Sequence, residues 1–454
     1  MAMETLNPAT GKPVQTFETW GDDELEAALQ QVAGASPGWR ETAFADRAAL
    51  MRGAASVLRD KSDHYAGLIT LEMGKPIREA RGEIEKCAWV CEYYAENAEA
   101  FLADELIESD ASKSYVAYLP MGTVLAVMPW NFPFWQVFRF AAPGLMAGNT
   151  GVLKHASNVP QCALAIEEVF LEAGFPAGCF RTLMISASQV KGVIEDPRIH
   201  AVTLTGSEPA GRQVAATAGN AIKKSVLELG GSDAFVVLED ADLDAAVKTG
   251  VSSRFLNNGQ SCIAAKRFIV VDAIADDFVQ RFTREVDALN VGDPTLEDTD
   301  LGPMSRNDLR DELHKQVEDS IAQGAVAALG CNPIDGAGAY YQPSVLDKVV
   351  PGVRAYEEEL FGPVAIVIRA SDEDEALRIA NDSRFGLGGS VWTQDSQRGD
   401  RFARRMQSGS TFVNGLVKSD PRLPFGGTKA SGYGRELSTH GIREFVNAKT
   451  VWIK

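Results

Sequence analysis

The chain has 454 residues, which at roughly 100–200 residues per domain makes two or three domains. A composition that is 45% hydrophobic and 23% charged excludes disordered and collagen-like chains. Asp and Glu number 62 against 44 Lys and Arg, and a net charge of −18 repels phosphate backbones and anionic lipid, so neither nucleic acid nor a membrane is expected as a partner.

The N-terminus has no basic region followed by an apolar stretch, so no signal peptide is expected. Six Cys without a CxxC pair are too sparse for a disulfide framework and suit a reducing compartment, the cytoplasm. The first 105 residues read as helices. Asp22 is placed to cap Asp23–Val32, and apolar positions from Ile77 through Ile84, Cys87, Cys91 and Tyr94 to Phe101 recur at helical spacing. Short apolar runs then alternate with helical stretches. Thr123–Met128, Gly151–Leu153, Phe180–Leu183 and Ala201–Leu204 read as buried strands. Phe134–Met146 (interrupted at Pro143), Gln161–Ala173 and Gln189–Ile194 read as helices. This alternation predicts an α/β fold with a parallel sheet covered on both faces.

A second series runs through Ala234–Leu238, Phe268–Val271, Val364–Ile368 and Ser390–Trp392, with Gly230-Gly231 as the seam between the two. The tail ends in a strand-like Thr450-Val-Trp-Ile-Lys454, which needs a partner edge, in this chain or in another subunit. No GxGxxG, GxxxxGK[ST] or HExxH is present. The five His residues show no ligand spacing, so no metal site is expected. Gly34-Ala-Ser-Pro-Gly38 matches GxSxG in letters only, because it follows a helix rather than a strand.

Three segments carry chemistry. Cys262 follows a Gly259 turn in a polar loop, Phe255-Leu-Asn-Asn-Gly-Gln-Ser-Cys262, where a lone Cys is either a small buried hydrophobe or a nucleophile. Glu228 sits in the apolar strand Leu227-Glu-Leu-Gly-Gly231, either turned to solvent from an edge or buried with a raised pKa that suits a base. Asn131 lies in Met128-Pro-Trp-Asn-Phe-Pro133, either a plain turn or a fixed amide at a strand end.

Together with Lys154, Thr205-Gly-Ser207, Glu359-Leu-Phe-Gly-Pro363 and Pro424-Phe-Gly-Gly-Thr-Lys-Ala-Ser-Gly432, these segments resemble the aldehyde dehydrogenase superfamily in order and spacing over nearly the whole chain. The resemblance implies a Rossmann-like cofactor domain (residues 1–110 and 121–228), an α/β catalytic domain (229–416) and a small bridging oligomerisation element (111–120 and 435–454), assembled as a homodimer or homotetramer. It implies that Cys262 is the nucleophile, that Glu228 is the general base, and that the Asn131 amide and the Cys262 backbone N–H form an oxyanion hole. A free thiol is only about 3% ionised at neutral pH, so the site must raise the thiolate fraction. The thiohemiacetal would then lose hydride to the nicotinamide, and Glu228 would activate water to hydrolyse the thioester. Lys154 and Ser157 are implied at the adenine ribose, Ser207 with Glu208 at the pyrophosphate and Glu359 at the nicotinamide ribose. Trp130, Leu229 and Phe361 would line the nicotinamide end. An acyl-CoA-forming enzyme would lack the base, and a non-catalytic structural relative would lack the nucleophile. This chain keeps both residues.

Phe132, Trp135 and Arg139 are spaced i, i+3, i+7. A helix entered at Phe132 with Pro133 in its first position would place two aromatic walls and one cation on a single face. Arg139 is then either a surface ion-pair partner or the anchor of a carboxylate-tailed aldehyde. The resemblance favours the anchor, with Ser419 beside it and succinate semialdehyde as substrate. Some relatives carry a second Arg where this chain has Leu256, which keeps glutarate semialdehyde or a neutral aldehyde open as alternatives. NAD-specific relatives usually place a Glu three residues after the lysine. Here Lys154-His-Ala-Ser157 puts a hydroxyl there, so NADP is expected ahead of NAD.

Overall fold

Short runs of Val, Ile, Leu and Ala that are apolar on both sides can bury themselves only in the interior of a parallel sheet, and two such sheets form here. The computed structural model describes residues 2–454. The first sheet has the order Gly432–Tyr433, Lys224–Glu228, Ile199–Thr205, Thr123–Met128, Thr150–His155, Phe180–Thr182, with only the Gly432–Tyr433 edge antiparallel. Alternate residues of one strand face opposite layers. Val124, Ala126 and Met128 pack on the helices between Trp39 and Phe170, and Leu125 packs with Leu29, Val193 and Val202. The second sheet runs Val326–Leu329, Ser344–Asp347, Val364–Ala370, Ala265–Val271, Asp233–Val237, Gly389–Trp392, Phe412–Val413, parallel except for its first strand. The chain crosses from the first sheet to the second at Gly230-Gly231, as the seam predicts.

Three expectations are corrected. The N-terminal region is not all helix, because Ala2–Asn7 and Lys12–Glu18 form an antiparallel hairpin. Nearly all of Lys12–Glu18 is exposed, so its period-2 pattern carries little apolar signal. The first helix runs over Asp22–Glu41, far beyond Val32 and through Pro37. Its cap is Gly21, whose N–H donates to Glu24 at 3.0 Å, and Asp22 joins the acidic first turn where the helix dipole favours it. Trp39 holds the last turns past the proline, buried against Phe175 and donating to the Leu145 carbonyl at 3.1 Å. Likewise Pro143 does not interrupt Trp135–Met146, a helix buried on all sides, where packing offsets the roughly 3 kcal/mol that an interior proline costs.

The tail has its partner edge within the chain. Val446–Ile453 pairs antiparallel with Lys113–Pro120 of the same chain, and Glu105–Leu106 completes a three-stranded sheet. The final strand remains an edge, with Trp452 and Ile453 about half exposed. Helix Ser438–Arg443 packs on helices Ile77–Phe101 and Trp135–Met146 as well as on this strand. No helix among the described residues is long and apolar enough to cross a membrane.

Candidate active site

In the first sheet the chain proceeds outward from Thr123–Met128 to one side, then crosses to Ile199–Thr205 on the other. The crevice at the carboxyl ends of those two strands is a topological switch point, where open α/β sheets bind their ligands. Trp130 and Asn131 leave the first strand there. Ser207 leaves the second and occupies the N-cap of helix Glu208–Asn220, its hydroxyl making no capping bond. The sheet therefore supplies a dinucleotide site without a glycine fingerprint.

Cys262 arrives from the second sheet on an unusual loop. Asn257, Asn258 and Gly259 take φ values of 57, 56 and 73°, three successive left-handed residues. Asn tolerates this conformation better than other side-chain-bearing residues, and position 259 admits only Gly, since a Cβ there would lie 2.4 Å from the Gly362 carbonyl oxygen. The loop is clamped on every side. Asn258 donates to the Gly74 and Pro303 carbonyls (2.9 and 2.8 Å) and accepts from Gly302 N–H at 2.8 Å. Buried Arg254 donates to the Val364 and Leu360 carbonyls at 2.8 and 2.9 Å. Buried Lys266 donates to the carbonyls of Ser261 and Cys262 at 2.8 and 2.9 Å. The Asn131 amide donates to the Gln260 carbonyl at 3.1 Å and Asn257 donates to the Asn131 carbonyl at 2.8 Å, tying the amide to the Cys262 loop.

Trp130, Asn131, Ser207, Glu228, Leu229, Glu359 and Phe361 line one cavity of about 280 Å³, and Cys262 stands in its wall. Trp130 and Phe361 meet edge to face at 5.9 Å. Glu359 accepts from the Gly231 N–H and pairs with Lys266, both at 3.1 Å. Glu228 is buried rather than turned to solvent, and neither of its carboxyl oxygens has a hydrogen-bond partner. Gly426 lets it fit, as a Cβ there would lie 2.6 Å from Glu228 Oε1. Burial, then the nearby Glu436, push the Glu228 carboxyl well above the usual range, against the pull of Arg139 and Arg435. Burial likewise pushes the Cys262 thiol up to about 12, with Arg139 and Lys266 pulling the other way.

A second cavity, again about 280 Å³, meets the first at Cys262 and is lined by Phe132, Trp135, Arg139 and Ser419. The three aromatic and cationic side chains share a cavity, but not through a helix begun at Phe132. The helix starts at Trp135 with Phe134 at its cap, and Phe132 and Pro133 form a turn before it. Its first turn is held from outside, because Glu83 accepts from Phe134 N–H and Trp135 N–H, both at 2.9 Å. Arg139 is no surface residue. It is buried, ion-paired with Glu436, 3.3 Å from Thr205 Oγ1, and its guanidinium lies 4.5 Å from the Phe425 ring centroid.

Lys154, Ser157 and Glu208 lie outside both cavities. Lys154 and Ser157 flank the end of Thr150–His155, the strand paired with Thr123–Met128, and so share the crevice edge with Trp130. Lys154 is buried, donates to the His155 carbonyl at 2.7 Å, and is lowered to about 8 by burial, while Ser157 is exposed. Glu208 is bound to Arg212 at 2.7 Å and to Arg384, which neutralises it at the start of its helix. The donor set fits a dinucleotide: a helix N-terminus with a free hydroxyl, a buried lysine and an acceptor carboxylate at the far end.

Sequence reasoning missed Lys86, Glu83, Lys266 and Glu436. The sole signal was the spacing of Glu79, Glu83 and Lys86 (i, i+4, i+7) within the apolar stripe of helix Ile77–Phe101, which places charges on an inward face.

A half-buried thiol, a buried carboxyl and a fixed amide around one cavity, on a sheet that can carry a dinucleotide, define a cysteine-dependent aldehyde oxidoreductase. The sequence profile of the aldehyde dehydrogenase family matches residues 1–451, and the chain belongs to that family. It is 54% identical over 453 residues, all of both chains, to a Synechocystis sp. protein called "Probable succinate-semialdehyde dehydrogenase", with NADP(+) in its name. It is also 54% identical over 456 residues, again all of both chains, to succinate-semialdehyde dehydrogenase 1, NADP(+), of Mycobacterium tuberculosis. The crystal structure of succinic semialdehyde dehydrogenase from Streptococcus pyogenes with NADP+ superposes with a TM-score of 0.98, at 39% identity and full coverage of both chains.

Proposed function

We propose that this chain oxidises succinate semialdehyde to succinate with NADP, through a thioester on Cys262. One observation carries the substrate. Ser419 Oγ accepts from Trp135 Nε1 at 3.0 Å and from Lys86 Nζ at 2.9 Å, so both lone pairs are engaged and the hydroxyl proton is left to donate into the cavity. A donor in an aromatic-walled cavity that Cys262 also lines fits an aldehyde whose tail ends in a carboxylate.

The residues then divide the chemistry. Asn131 and the Cys262 N–H receive the oxyanion as the thiolate bonds to the carbonyl carbon, donors of a kind worth about 3–4 kcal/mol each. The dinucleotide, when bound, supplies a hydride acceptor, held by Ser207, Glu359 and the Trp130 and Leu229 walls. Loss of hydride from the thiohemiacetal carbon leaves the thioester on Cys262. Glu228 takes a proton from water, the hydroxide adds to the thioester, and collapse releases succinate and the thiol. The raised pKa of Glu228 suits that exchange, since a carboxylate of ordinary pKa is a weak base at neutral pH. Ser157 donates to the 2′-phosphate and Lys154 adds its charge, which favours NADP over NAD. Six free thiols suit the cytoplasm, and the exposed edge of the small sheet suits a homodimer or homotetramer.

The test is kcat/KM for succinate semialdehyde, glutarate semialdehyde and butanal, each with NADP and with NAD. Preference for succinate semialdehyde with NADP supports the reading. Equal rates on butanal would remove the substrate, and preference for NAD would remove the cofactor.

A further inference from the structure

Four cations line the substrate cavity, Lys75, Lys86, Arg139 and Lys418; two are already compensated, and Lys418 is exposed to solvent. Lys75 is buried against Glu83, and Arg139 against Glu436. Glu83 is committed as well to the first turn of helix Trp135–Met146. Of the other two cations, Lys86 is the one that is half-buried, and among the described residues its ammonium is in contact with no carboxylate. Asp420, the acid next to Ser419 in the chain, is tied to Arg422 at 2.7 Å. Glu79 in the same wall accepts from the Asn257 N–H at 2.7 Å. Lys86 is half-buried, reaches Ser419 at 2.9 Å and stands 4.2 Å from the centroid of the Trp135 ring. Leu256, across the same cavity, contributes only carbon.

We infer that Lys86 is a specificity-determining residue, the half-buried and uncompensated cation that with Ser419 receives the carboxylate tail of the substrate. The inference rests on the proposed carboxylate-tailed aldehyde and deepens it. An ammonium held away from bulk water with only a hydroxyl and a ring for company is poorly solvated, and an arriving carboxylate supplies the missing charge. Burial and the neighbouring Arg139 hold it down to about 8, which is the mark of a cation lacking its anion. Arg139 cannot substitute, because its charge is already met by Glu436. The stack on Trp135 also fixes where the ammonium points, so the tail is read at a set distance from Cys262.

The experiment compares wild type, Lys86→Gln and Lys86→Arg in the ratio of kcat/KM for succinate semialdehyde to that for butanal, with succinate as a competitive inhibitor. Loss of one charge-assisted contact should lower the ratio by about 10–100-fold in Lys86→Gln and weaken succinate by a similar factor. Most of the loss should appear in KM rather than kcat, and Lys86→Arg should recover part of it. A ratio unchanged in Lys86→Gln, or both substrates falling together, overturns the assignment of Lys86 while the substrate reading stands. A wild-type enzyme with no preference for the carboxylate tail overturns both.

Discussion

At the scale of single residues, Cys262 is held as a thiol and must be ionised on demand. Burial raises it to about 12, so the protonated form dominates at neutral pH and the thiolate fraction rises about tenfold for each pH unit below that value. In the enzyme without cofactor, alkylation of Cys262 by iodoacetamide should be slow at pH 7 and climb steadily between pH 7 and 10. Rapid labelling that is flat across that range would show a standing thiolate. Cys262→Ala should abolish turnover yet bind NADP as wild type does, since the thiol lies in the wall of the cofactor cavity and holds none of its polar contacts. Ser157 is the other residue that can be read alone. Ser157→Glu replaces a donor with a repelling carboxylate and should move the NADP-to-NAD ratio of kcat/KM by about 10–100-fold toward NAD, the worth of one charge-assisted hydrogen bond. An unchanged ratio would mean that the phosphate is read elsewhere.

At the scale of elements, the site depends on two clamps that lie outside it. Glu83 crosses from helix Ile77–Phe101 to hold the first turn of Trp135–Met146, and Lys75 neutralises it in the interior. Glu83→Ala would strip two N–H groups and leave Lys75 buried and alone, a loss of about 3–5 kcal/mol by comparison with other broken buried pairs. Its urea midpoint should fall accordingly, and a midpoint within error of wild type would show that the first turn needs no external acceptor. The Asn257-Asn258-Gly259 loop is the second clamp. Its sequence reads as a tight turn, but nothing local announces three left-handed residues in succession. Those are imposed by Arg254, Lys266 and the Gly362 backbone, all brought in from elsewhere. The same holds for the helix at Trp135. The periodicity of Phe132, Trp135 and Arg139 correctly places them in one cavity, although the helix itself begins two residues later than their spacing suggests. Buried strands were legible because parallel sheets are written as continuous apolar runs. The exposed hairpin at Lys12–Glu18 was not, because a strand with no buried face leaves little hydrophobic trace. Lys86 was hard to read for a third reason. A lysine on a helix is ordinarily solvated, and its spacing from Glu79 and Glu83 within an apolar stripe is the one local hint that this one faces inward.

At the scale of the molecule, two parallel sheets meet so that Cys262 of one stands in the crevice of the other, with a cavity on either side of the thiol. The small third sheet stands apart from this chemistry. Its outer strand leaves Trp452 and Ile453 exposed on an unpaired edge, a surface that natural proteins ordinarily cover. Removing residues 446–454 should lower the mass seen by light scattering from that of a dimer or tetramer to that of one chain. A full-length protein that is already monomeric would remove the assembly reading. If succinate semialdehyde becomes a thioester on Cys262 that Glu228 resolves, Glu228→Gln should trap it. Mixed with NADP and succinate semialdehyde, this variant should release one burst of NADPH per active site and then stall, and the peptide bearing Cys262 should gain the mass of a succinyl group. Steady turnover, a burst without that adduct, or an adduct on another cysteine would contradict the account.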